Sequence, residues 1–283
     1  MAARTAPTER QKRLGAEIRK LRTAAGMTGE YAAGLLGVDR GKISNIESGT
    51  RPISPERLRT LACNCDCDDE AYVDALVDMA RPTKGGWWER YRGSLSAGIL
   101  DIAELEHHAA RIRSVHLIHM PGLLQSSDHA QAIFRAALPA LPEHEVALRL
   151  AHRLERQQIF ESDSPTEYVG IIHEAALRMQ FGGPAVARGQ LEHLLALSKR
   201  PHVTLRVIPF SAGSFPGAGQ TVVYLEGPVP QLDTVQIDSA HGPEFLHQEA
   251  QLLKYRTQLD WMEGRALSPD ASYDFIQDIA SHL

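Results

Sequence analysis

The first third of the chain carries apolar residues at helical spacing, interrupted at short intervals. Leu14, Ile18, Leu21 and Ala25 recur at steps of four, three and four, so they share one helical face. Gly26 stands where such a helix stops in a left-handed cap, and Thr28 is a good N-cap for a second helix carrying Ala32, Ala33, Leu35 and Leu36. Gly37 ends that helix. Asp39 caps a third, with Ile43 and Ile46 turned inward and Gly49 as its stop. Ser54-Pro55 opens a fourth, which buries Leu58, Leu61 and Ala62. Asp68, Asp69 and Glu70 suit the positive end of a fifth, whose stripe is Tyr72, Val73, Leu76, Val77 and Met79.

The pattern then changes. A glycine pair makes 83–86 a short hinge between residues 1–82 (core 14–80) and 87–283, with Trp87-Trp88 packing a domain edge just beyond it. Helices are expected over 96–115, through Leu105, Ala109 and Ile112, then over 127–137 and 143–161. Runs rich in Val, Ile, Thr and Tyr at 167–172, 203–208, 220–225 and 234–237 read as strands. A helix at 184–198 between the first two makes a β-α-β unit, 210–219 reads as a loop, and helices at 244–263 and 269–282 close the chain. The expected fold is α+β: an all-α five-helix head and a mixed α/β body with a small sheet of about four strands.

At 283 residues and 43% apolar content, the chain suits two folded domains. No apolar run is long enough for a membrane-spanning helix, and the first residues lack the apolar core of a secretory signal, so a cytosolic protein is expected. Charge is unevenly spread. Residues 1–65 hold 12 Lys/Arg against 6 Asp/Glu, a net of +6, while the remainder holds 18 against 29, a net of -11. A basic head on an acidic body points to a polyanion-binding module joined to something else.

Two short helices joined by a glycine turn, the second with a polar outer face, form a helix-turn-helix. With Ile43 and Ile46 inward, Gly41, Ser44, Asn45 and Ser48 face outward on a wheel of about 100° per residue, flanked by Arg40 and Lys42. Such a narrow polar face fits a DNA major groove. Arg40 suits guanine O6/N7 and Asn45 suits adenine N6/N7. Lys42, Arg51 and Arg57 suit phosphates, which give affinity without sequence information. Arg4 lies in an N-terminal arm that reads as a disordered tail.

The run 27–49, with its I-S-x-I-E-x-G stretch at Ile43–Gly49, resembles the phage-repressor (Xre/Cro) helix-turn-helix, and the likeness extends over roughly 14–80. The resemblance implies base- or groove-facing roles for Arg40, Lys42, Ser44 and Asn45, and phosphate contacts from Thr28, Arg51 and Arg57. It implies an architectural ion pair between Glu47 and Arg22. Gly29 and Gly41 depart from the family pattern and leave fewer side chains to reach bases, which makes homodimerisation more important. Further on, Pro121-Gly122-Leu123-Leu124-Gln125, Arg153-Leu154-Glu155-Arg156-Gln157, Glu174-Ala175-Ala176-Leu177-Arg178, Gly182-Gly183-Pro184 and Ala266-Leu267-Ser268-Pro269 occur in order. This set resembles the large C-terminal domain of actinomycete Xre regulators, described as antitoxin-like and paired with a small protein from an adjacent gene. The resemblance implies a transcriptional regulator acting on double-stranded DNA, whose second domain receives a partner or ligand. The alternative is an antitoxin-like protein that mainly sequesters its small partner.

Within the second domain, Arg153, Arg156, Gln157, Glu174 and Arg178 are the candidate ligand or partner residues. Arg153 and Arg156 are three apart and share a helical face, where they either hold an anion or pair with Glu174 to fasten helix to sheet. His173 stands beside Glu174, yet there is no G-x-S-x-G, phosphate-binding glycine loop or H-E-x-x-H, so no enzyme, no catalytic residue and no cofactor are expected. Cys63, Cys65 and Cys67 are too closely spaced for structural zinc and read as packed or exposed thiols. Glu104, His107, His108, His116 and His119 read as surface or core residues.

Overall fold

The computed structural model describes residues 6–81, 85–214, 220–239 and 241–283. Arg4, positions 83 and 84 of the expected hinge, and 215–219 of the expected loop lie outside the described residues. The chain divides into two compact units, residues 1–105 with 228–231, and residues 106–227 with 232–283. The first unit thus extends past the hinge expected at 83–86 and takes in Trp87 and Trp88.

The first unit contains α1 (Glu9–Ala24), α2 (Gly29–Leu35), α3 (Arg40–Glu47), α4 (Pro55–Asn64), α5 (Glu70–Ala80) and most of α6 (Ala97–His108). The side chains of Thr8, Thr28, Asp39, Ser54 and Asp69 each accept the backbone N–H three residues on, satisfying a donor the helix itself leaves orphaned. Thr8 forms a full capping box with Gln11. Leu14, Ile18, Ala32, Leu36, Ile43, Ile46, Leu58, Leu61 and Leu76 are buried, whereas Ala25, expected on the inner face of α1, is exposed just past the end of the helix.

Two glycines set how closely α1 and α3 pack. A Cβ on Gly15 would stand 2.6 Å from the carbonyl oxygens of Ile46 and Glu47. Gly49 stops α3 at φ +75, and a Cβ there would meet the Gln11 backbone at 2.7 Å. A buried polar cluster lies behind this joint. Tyr72 donates to Glu17 Oε2 at 2.5 Å, Arg13 pairs with Glu17 Oε1 at 3.2 Å, and Arg13 also donates to the Gln231 carbonyl. Burial and the Glu17 carboxylate both push the Tyr72 hydroxyl upward, so it stays a donor.

The second unit is built on six strands: β1 (Arg111–His116), β2 (Glu167–His173), β3 (Val203–Ile208), β4 (Val222–Glu226), β5 (Thr234–Ser239) and β6 (Gly242–Leu246). They lie in the order β3-β2-β1-β4-β5-β6. β3, β2 and β1 run parallel, and β4, β5 and β6 are added antiparallel. α7 (Ser127–Arg135), α8 (Glu143–Arg156), α9 (Glu174–Arg178), α10 (Pro184–Leu197), α11 (Glu249–Arg265) and α12 (Pro269–Ser281) complete the unit. Leu252, Leu259 and Met262 of α11 close over Val115, Ile171, Val222, Tyr224 and Val235 of the sheet.

The sheet therefore has six strands rather than about four. Residues 96–115 do not form one helix, because α6 ends at His108 and β1 begins at Arg111. β1 is central and covered on both faces, yet it carries Arg113. That buried guanidinium reaches Asp260 at 2.7 Å and Glu263 at 3.0 Å on α11, so its charge is neutralised inside the unit. Residues 244–246, expected to open the helix at 244–263, belong instead to β6, and α11 begins at Glu249. β6 pairs with β5 alone, an edge position that tolerates Pro243.

Candidate nucleic-acid interface

α3 follows α2 after a tight turn, and its two faces differ sharply. Ile43 and Ile46 are 4% exposed. Arg40, Gly41 and Ser44 are exposed, and Lys42 and Asn45 are half-buried. No bulky apolar side chain stands on the outer side, the condition for a helix to enter a major groove.

Each candidate residue has a definite setting. Lys42 Nζ lies 2.9 Å from Asp39 Oδ2, and this hydrogen bond, with that from the Lys42 N–H, holds the Asp39 carboxyl below its usual range. A surface pair of this kind is worth little and exchanges readily for a phosphate. Arg40, Arg51 and Arg57 are exposed and pair with no carboxylate among the described residues. Thr28 spends its oxygen on the Tyr31 N–H at 3.1 Å, which keeps it at the N-terminus of α2, and Ser54 does the same for Arg57 at 3.4 Å.

Asn45 is held by Thr50, a residue outside the helix. Thr50 Oγ1 lies 3.0 Å from the Asn45 carbonyl and 3.3 Å from its Oδ1, and Ser48 Oγ lies 3.0 Å from Thr50 Oγ1. The single Thr50 hydroxyl proton is shared between these two oxygens, the backbone carbonyl being the nearer. No one-residue sequence signal marks Thr50, since the bond depends on the turn that follows α3.

Arg22 and Glu47 are joined in a two-pronged pair, Nε–Oε1 at 2.5 Å and Nη2–Oε2 at 3.1 Å, while Arg22 Nη1 also donates to the Met27 carbonyl at 2.6 Å. The hydrogen bonds that Arg22 donates to Glu47 raise the Arg22 pKa further. The pair ties α1 to α3 and to the turn before α2, so it positions the outer face without lying on it.

In the second unit the five candidate residues separate into two groups. Arg156 grips Glu106 with both prongs, at 2.7 and 2.5 Å, and this carboxylate holds Arg156 charged against the cost of burial. Gln157 donates to the Gln125 carbonyl at 2.7 Å, and Arg153 donates to Gln125 Oε1 at 2.5 Å. Glu174 stands elsewhere, taking Arg178 at 2.7 Å and the Phe210 N–H at 2.8 Å. The fastening of Arg153 and Arg156 to Glu174 is thus replaced by Arg156–Glu106. Arg153 forms no ion pair among the described residues; burial, then the neighbouring Arg156, push its pKa down to about 9, and it lies over the Phe134 ring. Cys63 is exposed and Cys65 and Cys67 are partly so, all as free thiols; burial pushes the Cys65 thiol up. No group of three possible metal ligands occurs among the described residues.

The first unit contains a helix-turn-helix domain: a family described by that name matches residues 13–76 and supports DNA binding. The chain belongs to the family defined by a domain of unknown function, DUF5753, which matches residues 99–278. No curated protein and no solved structure matches the chain. No helix among the described residues is long and apolar enough to cross a membrane.

Proposed function

We propose that this chain is a cytosolic, sequence-specific transcriptional regulator of the Xre/Cro type that binds a near-palindromic operator as a homodimer. One observation carries the reading: α3 buries Ile43 and Ile46 and leaves Arg40, Ser44 and Asn45 on an accessible polar face, and Arg51 and Arg57 are exposed. The basic balance of the head and the resemblance over 14–80 support it. Few side chains reach the bases from one α3, so two copies spaced about 34–36 Å apart supply the specificity that one lacks. The acidic second unit receives a partner protein or ligand, and Arg153, a half-buried cation with no ion pair among the described residues, is its anchor for an anionic group.

The test is binding of the full chain to an operator selected from random DNA and to scrambled DNA. Arg40→Ala and Asn45→Ala are expected to reduce the preference for operator by about 1–3 kcal/mol each. Lys42→Ala is expected to weaken both DNAs alike and to reduce the salt slope by about one. Equal losses on both DNAs for Arg40→Ala and Asn45→Ala would overturn the base-reading assignment.

A further inference from the structure

The first unit contains a cavity of about 580 Å³ on the side of α1 that meets the turn after α3. Its size falls within the ~300–1,000 Å³ common to small-molecule sites. Leu14, Ile18, Met79 and Trp88 supply apolar walls, and the turn 49–53 forms one edge. Trp88 is buried, so its ring is a fixed surface.

Six charged side chains line this space, and four are accounted for. Arg92 is bound two-pronged by Glu89 at 2.6 and 2.5 Å, and Arg81 is paired with Asp78 at 2.9 Å, while Arg51 is exposed. Arg10 and Glu104 remain. Arg10 gives Nη1 to the Met79 carbonyl at 3.2 Å, leaving most of its five donors unused. The Glu104 carboxylate takes a side-chain hydrogen bond from Thr8, but its Oε2 atom is out of contact with water and has no hydrogen-bond partner among the described residues. The two charges are close enough to influence each other, yet no hydrogen bond joins them among the described residues. Burial pushes the Glu104 carboxyl up and the Arg10 guanidinium down, the behaviour of charges removed from water without full compensation.

A half-buried carboxylate with one free oxygen and a half-buried guanidinium, both lining the same space beside an aromatic wall, define a complementary molecule. We propose that this cavity is an effector site for a small zwitterion with an apolar or aromatic body, an amino-acid-like ligand whose carboxylate meets Arg10 and whose ammonium meets Glu104. The opposite ends of the ligand complete two half-satisfied charges at once, which neither an amine nor an acid alone does. Because the turn 49–53 carries Arg51 and follows α3, occupancy orders the end of the helix that meets DNA. That consequence rests on the regulator reading; the binding itself does not.

Calorimetry of the full chain with the standard amino acids tests the site, with 2-phenylethylamine and 3-phenylpropionate as probes carrying one charge each. An apolar or aromatic amino acid is expected to bind, and the single-charge probes at least about tenfold more weakly. Glu104→Gln and Arg10→Gln are each expected to lose about tenfold or more in affinity. Ala80→Leu, which narrows the cavity without touching either charge, is expected to abolish binding, and thermal melting confirms that each variant is folded. Hydrogen exchange at residues 49–53 is expected to slow on binding, a readout that needs no DNA. Absence of binding by every amino acid, equal binding of the single-charge probes, or unchanged affinity in folded Glu104→Gln and Arg10→Gln overturns the site. Unchanged exchange at 49–53 overturns the coupling. Failure to bind any operator, with ligand binding intact, counts against the regulator reading alone.

Discussion

Gly15 of α1 lies so close to Glu47 of α3 that a single added methyl carbon would come within 2.6 Å of the Glu47 carbonyl oxygen. The neighbour is backbone, which cannot swing aside as a side chain can. The outer face of α3 is therefore placed by a backbone-to-backbone approach. Gly15→Ala is expected to destabilise the first unit by about 1–3 kcal/mol through overpacking. Urea denaturation followed by helix signal checks this, and an unchanged midpoint would mean that α1 and α3 separate at little cost.

The Arg22–Glu47 pair holds the same joint from the side. Both side chains are largely buried, at 13% and 11% exposed. Glu47→Gln keeps the shape but leaves Arg22 without its counter-charge, and is expected to cost about 2 kcal/mol of stability. Its operator preference, measured below the melting range, should match the parent. A selective loss of operator preference would instead place Glu47 at the DNA.

Arg156 and Glu106 form a deeper pair in the second unit. Removing one partner strands a buried charge, so Glu106→Gln is expected to cost about 3–5 kcal/mol. The joint change Arg156→Met with Glu106→Leu should recover most of that loss. A double-mutant cycle by chemical denaturation measures the coupling. If the joint variant is no more stable than Glu106→Gln, packing around Arg156 and not stranded charge sets the cost.

Acid should weaken the second unit before it affects ordinary carboxylates. Burial pushes His116 down to about 3 and His129 to about 4, with His119 and Arg153 acting in the same direction. Folded, these rings stay neutral; unfolded, they take up a proton near pH 6.5. Stability is thus complete above about pH 6.5 and falls as pH drops toward the folded values, by roughly 1.4 kcal/mol per pH unit for each ring. Denaturation midpoints of His129→Phe between pH 7 and pH 4.5 should fall less steeply than those of the parent. Parallel slopes would mean that His129 is not held neutral.

The helices of the first unit were legible because their signals are local. Thr28, Asp39 and Ser54 cap within three residues, and the isoleucines of α3 declare its inner face. The Thr8 capping box has its own local signature, T-x-x-Q at positions 8–11. Strands β2, β3, β4 and β5 were legible to within two residues at each end, since β-branched runs between turns need no partner to be recognised. β1 and β6 were not. A charged Arg113 in a central strand depends on Asp260 and Glu263 supplied by α11, and Pro243 is tolerated because β6 lies at the sheet edge.

By itself, the sequence determined the α+β class, the five capped helices, the polar outer side of α3 and the Arg22–Glu47 partnership implied by the repressor likeness. These depend on spacing, caps and residue chemistry within short windows. Tertiary structure alone decided which distant groups meet. It chose Glu106 over Glu174 for Arg156, set Thr50 on Asn45, brought Gly15 against the α3 backbone and left Arg10 and Glu104 facing one cavity. Such pairings are settled by packing across many residues of chain, and no local pattern encodes which charge another will find once both leave water.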